Sequence, residues 1–447
     1  METILLTKIK LIKRFIKEKR DKRIVQILKD LHAADIAEII EVLKVEKRLY
    51  IFNLLKREVQ SEVISELEEA TRESLVPKLD QDVIVDLIEA LDSDEAVDLF
   101  QDLTEERQEE VLENIDEEVA EEVHELMSYA EDTAGGIMRL EFIQVNETET
   151  VANTRKIIKH ETEEEDLHDF YNIWISDDKG ILRGFVSLQD LIIAAPEQLI
   201  KDVMTEEIIF VHPEIDQEEV ANLSVKYNLV SVPVVDQQKH LLGVITFDDI
   251  GDIMDEEADE DIAKFSGSGD LQISEESPFR ISKARLPWLL ISLFGELISA
   301  YVIYQFQGDL QKAIALSFFF PVIMAMGGNI GIQASAIVVR GLATGEISGL
   351  NLRRRLFREL KSAFITGIIC GLIIFIIVSL WFSINKGAMV SVALLVVILN
   401  AATVGATIPF ILQRMNIDPA ISTGPFITTS NDIFGLLIYL AIVTTFM

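Results

Sequence analysis

The sequence predicts a multidomain protein. It should have an acidic, all-α superhelical front, a duplicated α/β domain, a long acidic connecting helix and an α-helical membrane domain with five transmembrane helices. Three observations carry this reading. Charge is split along the chain: residues 1–277 hold 28 Lys/Arg against 69 Asp/Glu, and residues 278–447 hold 12 against 6. A chain of net charge −35 therefore divides into a −41 front and a +6 back. The back contains five apolar segments, near residues 287–306, 313–339, 363–384, 388–412 and 420–446, each reaching the ~20 residues that a bilayer core demands. Just ahead of them, one strand–turn–strand–helix phrase is written twice. The expected domains are 1–130, 131–254, 255–280 and 281–447.

The opening METILLTKIKLIKRFIKEKR is basic and amphipathic. It lacks a long apolar core and a small-residue cleavage site, so it reads as a helix and not a signal peptide. From residue 24 to about 130 short helical phrases recur: HAADIAEIIEVL, DQDVIVDLIEAL, DSDEAVDLFQDL, EERQEEVLENI and DEEVAEEVHEL. Apolar positions at helical spacing repeat with a period near ten to twelve residues, which fits a small superhelix of short helices. Nothing in it suggests catalysis. The negative field of this front repels phosphate and so excludes a nucleic-acid partner. An acidic surface is most simply a solvated one; the sharper reading is a reservoir of divalent-cation sites. The single cysteine, Cys370, leaves no intrachain disulfide and no cysteine-based zinc site.

The duplicated phrase reads YNIWISDDKGILRGFVSLQDLI and then VSVPVVDQQKHLLGVITFDDIGDI. Each copy gives a short apolar strand, a polar turn, a second strand beginning at Gly184 or Gly243, and a helix start. Ser187 and Thr246 stand as N-caps, with Asp190 and Asp249 three residues on in the N3 place. The shared G-h-h-[ST]-x-x-D pattern resembles a tandem pair of cystathionine-β-synthase (CBS) motifs. That resemblance implies an adenine nucleotide such as ATP, bound as a regulator with Ser187, Asp190, Thr246 and Asp249 gripping ribose and phosphate. The same four residues also serve as helix caps.

The connector FDDIGDIMDEEADEDIAKF crowds Asp249, Asp252, Glu256, Glu257, Glu260 and Asp261 onto several turns of expected helix. Like charges at helical-neighbour spacing repel, so this helix is either a solvated face or one that needs counterions. Its place between sensor-like modules and a membrane domain favours bridging cations.

Flanking charges orient the spans. Arg280, Lys283 and Arg285 precede the first; Arg340, Arg353, Arg354, Arg355, Arg358 and Lys361 fill the connection between the second and third. QGDLQK and NKG, on the opposite side, carry few positive charges. The positive-inside rule then gives a cytoplasmic N-terminus and an external C-terminus. The second span contains PVIMAMGGNIGIQAS, in which Asn329 and Gln333 share a face and glycines with Pro321 weaken regular helical bonding. Close packing through small residues and a broken, pore-lining helix are both open there. Glu296 is a lone carboxylate in the first span, and its role is open.

In the fifth span Gly424, Thr428 and Asp432 recur at i, i+4 and i+8, and residues 433–447 bring no further charge. An ionised group against lipid is costly, so Asp432 marks a water-filled, cation-conducting path. One carboxylate with hydroxyl and amide oxygens is hard-ligand chemistry suited to Mg²⁺, which keeps several waters; Ca²⁺, Mn²⁺ and Na⁺ stay open on this ground alone. One Asp per chain is sparse, and two copies across a symmetry axis, a homodimer, are implied. The spans hold no His and only Glu296 and Asp432 as acids, and no Walker-type loop occurs, so no enzyme is expected.

Taken together, these features resemble the MgtE-type magnesium channels over essentially the full chain. GGNIGIQ and DPAISTGPFITTSNDIFG are the specific motifs. The resemblance implies a plasma-membrane homodimer with a pore between two membrane domains, and hydrated Mg²⁺ at Asp432 with Asn329 and Thr428 nearby. It implies passive, potential-driven Mg²⁺ entry, shut when cytosolic Mg²⁺ bridges the helical domain, the CBS pair and the connecting (plug) helix. The matching acids are Asp94 and Asp98 in the helical domain and Asp216 and Glu218 in the second CBS unit. Asp249, Asp252, Glu257, Glu260 and Asp261 match at its end and in the connector. Two departures stand out: KYN at 226–228 lacks an acid, and Gly424 replaces an expected polar pore residue. A proton- or sodium-coupled secondary transporter of divalent cations, with Asp432 as coupling carboxylate, is the alternative.

Overall fold

The structure, a computed structural model, describes residues 2–164, 170–266, 278–312, 314–343, 352–415, 417–422 and 424–446. It divides into two compact units, Met1–Met254 and Asp255–Met447. Residues 267–277, within the expected 255–280 connector, lie outside the described residues.

The first unit opens with α1 (Glu2–Lys17). Short helices follow: α2 (Asp21–Leu28), α3 (Ala33–Glu41), α4 (Val45–Phe52), α5 (Arg57–Ser65), α6 (Glu69–Leu75), α7 (Gln81–Ile88), α8 (Ser93–Gln101), α9 (Glu105–Leu112) and α10 (Glu117–Leu126). Their period is twelve, sharper than sequence periodicity alone resolves. Leu43, Leu55, Leu67, Leu79, Leu91, Leu103 and Ile115 recur at that spacing, all in or against one core. The residue after each, Lys44, Lys56, Glu68, Asp80, Asp92, Thr104 or Asp116, occupies an N-cap or pre-helical position in extended conformation and starts the next helix. Apolar residues cluster one turn apart, as with Val83, Ile84, Leu87 and Ile88 of α7, so that the helix buries one stripe.

The rest of this unit is the duplicated domain. The first copy is β1 (Gln144–Asn146), α11 (Val151–Glu164), β2 (Asn172–Ser176), β3 (Leu182–Ser187) and α12 (Leu188–Ile193). The second is α13 (Gln217–Tyr227), β4 (Ser231–Val235), β5 (Leu241–Thr246) and α14 (Phe247–Ser266). β1 runs parallel to β2, which pairs antiparallel with β3. In the second copy a single parallel bridge, Val211 to Val234, stands where β1 stands in the first. Each repeat is therefore strand–helix–strand–strand–helix, one strand and one helix longer than the phrase visible in the sequence. The extra strand was too short to show as alternation. Both copies carry a register shift at one place, Ile175/Ser176 and Val234/Val235. The repeated glycines answer to close backbone crossings: a Cβ on Gly184 would lie 2.7 Å from the Thr205 carbonyl, and one on Gly243 would lie 2.8 Å from that of Arg139. The helix of the second copy and the acidic connector form one continuous helix, α14, within which the division between units falls.

The second unit holds α15 (Pro278–Gln305), α16 (Gln307–Lys312), α17 (Phe320–Ala343), α18 (Leu352–Trp381), α19 (Ile384–Arg414) and α20 (Pro425–Thr445). Among the described residues five helices are long and apolar enough to cross a membrane, in the five places expected. Two expectations change. QGDLQK is the helix α16, and NKG lies in the first turn of α19, capped by Ser383. The second span is also not broken: residues 320–343 are helical throughout, after a 3-10 turn at Ile314–Phe319. Its glycines serve contact, because a Cβ on Gly405 of α19 would collide with the Gly331 carbonyl of α17. Tyr439 of α20, fully buried, donates its hydroxyl to the Leu316 carbonyl at 2.8 Å.

Candidate cation sites

α20 begins with Pro425 at its first helical position, where a missing N–H costs nothing, and Gly424 as N-cap. Gly424 and Thr428 stay together, the Thr428 hydroxyl lying 3.4 Å from the Gly424 carbonyl, while eight residues of α-helix turn Asp432 about 80° from Gly424. Thr428 lies against α17, its methyl 3.7 Å from a Cβ position on Gly328. Asp432, 6% exposed, instead lies beside the Glu296 carboxyl of α15, within hydrogen-bond reach. Glu296 thereby acquires a partner that the sequence could not assign. α15 reaches α20 through Gly295, where a Cβ would strike Thr429.

Two polar groups that sequence reasoning missed lie close by in the chain. Asn431 is 1% exposed, and neither amide atom has a hydrogen-bond partner among the described residues. Its side chain abuts Gly331 of the GGNIGIQ motif. Ser299, 2% exposed and one turn beyond Gly295, likewise has an unpartnered hydroxyl among the described residues. Asn329 and Gln333, by contrast, are exposed on the outer face of α17 in the single chain. The structure thus brings the two specific motifs together by Gly328–Thr428 and Gly331–Asn431, and leaves Asn329 exposed.

The acids expected to bridge Mg²⁺ fall into four places. At the junction of the helical part with the duplicated domain, Asp94 and Asp249 converge on one guanidinium, that of Arg139, together with Asp92. Burial drives the Asp94 carboxyl well above the usual carboxylate range, against the pull of Arg139. Asp98 does not join them. It pairs with Arg72 at 3.5 Å, and that arginine holds Asp102 at 2.7 Å. Asp216 is the N-cap of α13 and accepts the Glu218 N–H at 2.9 Å, which places these two acids together at one helix start. Among the described residues no group of three or more His, Cys, Asp or Glu is gathered as a metal cage.

The four nucleotide candidates are all in cap geometry. Ser187 Oγ accepts the Asp190 N–H at 3.1 Å and donates to its carboxylate at 2.6 Å. Asp249 accepts the Thr246 N–H at 3.0 Å and its hydroxyl at 2.6 Å. Asp190 is exposed, whereas Asp249 is already engaged by Arg139. Along α14, Asp252 and Glu257 remain on the acidic helix, and Glu260 pairs with Lys264. Lys264 also reaches Asp418 at 2.7 Å, just ahead of the 3-10 turn Pro419–Ser422 that leads into α20. Burial, reinforced by Asp418, raises the Asp261 carboxyl above its ordinary value.

Five membrane-length helices with a buried intramembrane carboxylate, joined to a helical domain and a CBS-like pair, define a multi-pass membrane protein of the cation-transport class. The sequence matches the divalent cation transporter family MgtE over residues 320–442, the MgtE intracellular N domain over 31–132 and the CBS domain over 200–255. The chain belongs to the MgtE family of magnesium transporters. The magnesium transporters MgtE of Bacillus subtilis (strain 168) and Enterococcus faecalis (strain ATCC 700802 / V583) are each 35% identical to it, over 72% of this chain and 71% of their own length. A crystal structure of the cytosolic domain of the Mg²⁺ channel MgtE in complex with ATP superposes with a TM-score of 0.51 at 29% identity, covering 54% of this chain and 98% of that one.

Proposed function

We propose that the protein is a homodimeric Mg²⁺ channel of the plasma membrane, with a cytoplasmic N-terminus and an external C-terminus, that passes Mg²⁺ inward without hydrolysis. A membrane potential of about 100 mV contributes ~4.6 kcal/mol per divalent ion, twice the single-charge figure. The observation that carries this reading is Asp432: a carboxylate buried in a span, beside a second carboxyl and next to an unsatisfied amide. Such a group belongs to an ion path, since lipid would not tolerate it. Mg²⁺ retains much of its water, and a few oxygens suffice to hold it. Asp432 is assigned the ion, with Thr428 and Asn329 lining the approach. The exposed Asn329 and Gln333 also favour a second copy or a water-filled path over lipid against α17.

Cytosolic Mg²⁺ is proposed to close the pore by neutralising the acidic front, a ligand-driven population shift. The candidate ligands are Asp98, Asp216, Glu218, Asp252, Glu257, Glu260 and Asp261, while Asp94 and Asp249 already face the Arg139 guanidinium. The Lys264–Asp418 ion pair supports such control, because it ties the end of α14 to the segment leading into the helix of Asp432. ATP is proposed as a regulatory ligand of the CBS pair, entering at Ser187 and Asp190.

Patch recording in Mg²⁺ tests the pore assignment. Asp432→Ala should abolish the current while the protein still reaches the membrane, and an undiminished current would sink it. The contact of Glu296 with Asp432 supports a second reading, proton-coupled transport, because two touching carboxyls share either a proton or a cation. Saturable uptake that stops when the proton gradient is dissipated would favour that reading, and unitary currents would exclude it.

A further inference from the structure

The duplicated domain allows Arg139 to be compared with its own repeat. Arg139 pairs with β5: its N–H donates to the Val244 carbonyl at 2.8 Å, and its carbonyl accepts the Val244 N–H at 2.9 Å. In the first copy Thr205 takes this place, paired with Phe185 at 2.9 and 3.1 Å. The preceding methionines match as well, Met138 lying against Gly243 and Met204 against Gly184. The fold therefore accepts a small neutral residue here. Backbone pairing does not require the arginine.

Its side chain, 6% exposed, reaches from the duplicated domain to the helical one. Nη1 donates to Asp92 Oδ2 at 2.8 Å, Nη2 donates to Asp249 Oδ1 at 3.1 Å, and Nε stands 3.7 Å from Asp94 Oδ2. Asp92 is the N-cap residue of α8 yet makes no capping bond; its carboxylate goes to the guanidinium instead. Beside this group the Ser93 N–H donates to Glu141 Oε1 at 2.9 Å and the Leu140 N–H to Ser93 Oγ at 2.8 Å. These two amides cross the same seam.

Asp94 and Asp249 are two of the acids that the family resemblance matches to bridging Mg²⁺. A buried guanidinium and a divalent ion cannot fill one space between them. We propose that Arg139 is a built-in cation of this seam. It does permanently what a bridging Mg²⁺ would do on demand, so the helical domain stays joined to the second CBS motif without Mg²⁺. Mg²⁺-dependent movement then falls to the acids outside the seam, on α13 and along α14. Without the guanidinium, Asp92 and Asp94 face Asp249 as like charges in a partly desolvated junction, and closure would come to need a divalent ion. The proposed Mg²⁺ control bears only on the consequence of this inference, since the seam can be read without transport.

The test is hydrogen exchange on the full-length protein in lipid nanodiscs, following the Ser93 and Leu140 amides in excess Mg²⁺ and in excess EDTA. In the wild type the two conditions should agree within about threefold, as for a contact that stays shut. In Arg139→Thr, which copies the residue of the repeat, protection in EDTA should fall about tenfold or more and return with Mg²⁺. Arg139→Lys keeps the charge without the fork and should fall between. The Ile245 amide inside β5 reports whether the domain remains folded; if Arg139→Thr loses it, Arg139→Lys decides. A wild-type seam that opens in EDTA, or a folded variant that stays shut without Mg²⁺, overturns the proposal.

Discussion

The Glu122 carboxyl shows how the acidic front stores unfavourable charge. Burial, with Glu141, Glu118 and Glu125 nearby, pushes it up to about 7 from an ordinary 4.5. A raised acid favours the folded state below its unfolded value and loses that contribution as pH rises through its folded one. Glu122→Gln should therefore melt higher than the wild type at pH 8, with the difference fading towards pH 4.5. After solvent screening the gain is about 1 kcal/mol or less. Melting of both proteins across that range checks this, and parallel curves would remove Glu122 from the account. Asp432 shows the opposite use of a costly acid. Its position was readable because the fifth span has no other charge to explain it. Its neighbours were not, because Glu296 is far away in the sequence and Asn431 looks like one more polar residue in a hydroxyl-rich stretch.

Single elements are limited by different forces in the two units. In the membrane, helices approach through small residues, since lipid supplies no hydrophobic drive between them. Gly405 of α19 rests on the backbone of α17 at Gly331, which cannot move aside cheaply. Gly405→Ala should lower the melting temperature in detergent, by the equivalent of about 1–3 kcal/mol for overpacking. Gly251, in α14, has no atom within 4 Å of its Cβ position. There Gly251→Ala should instead stabilise, by roughly 0.5–1 kcal/mol, through helix propensity. Equal effects from the two substitutions would refute the contrast. The same contact accounts for the continuous second span: neighbouring helices fill what Gly327, Gly328 and Gly331 leave open, so regular bonding survives.

For the whole molecule, the question is how the acidic front would act on the proposed Mg²⁺ path. Within the second unit the described link is Lys264, shared between Glu260 on α14 and Asp418 before α20. Lys264→Ala should leave Mg²⁺ currents larger at high cytosolic Mg²⁺ than in the wild type, with conduction at low Mg²⁺ little changed; inside-out patches measure this, and unaltered inhibition would discard the link. The sequence by itself determined the division into an acidic front and an apolar back, the five spans, the duplicated phrase and the candidate carboxylate. Each of these is a local property, carried by periodicity, charge or a short motif along one segment. Only the tertiary structure decided which acids meet. It sent Asp98 to Arg72, gave Asp432 its Glu296, and set a guanidinium between Asp94 and Asp249. Those pairings join residues up to 155 positions apart, from Asp94 to Asp249, and no local pattern encodes an encounter that depends on how whole helices and sheets pack.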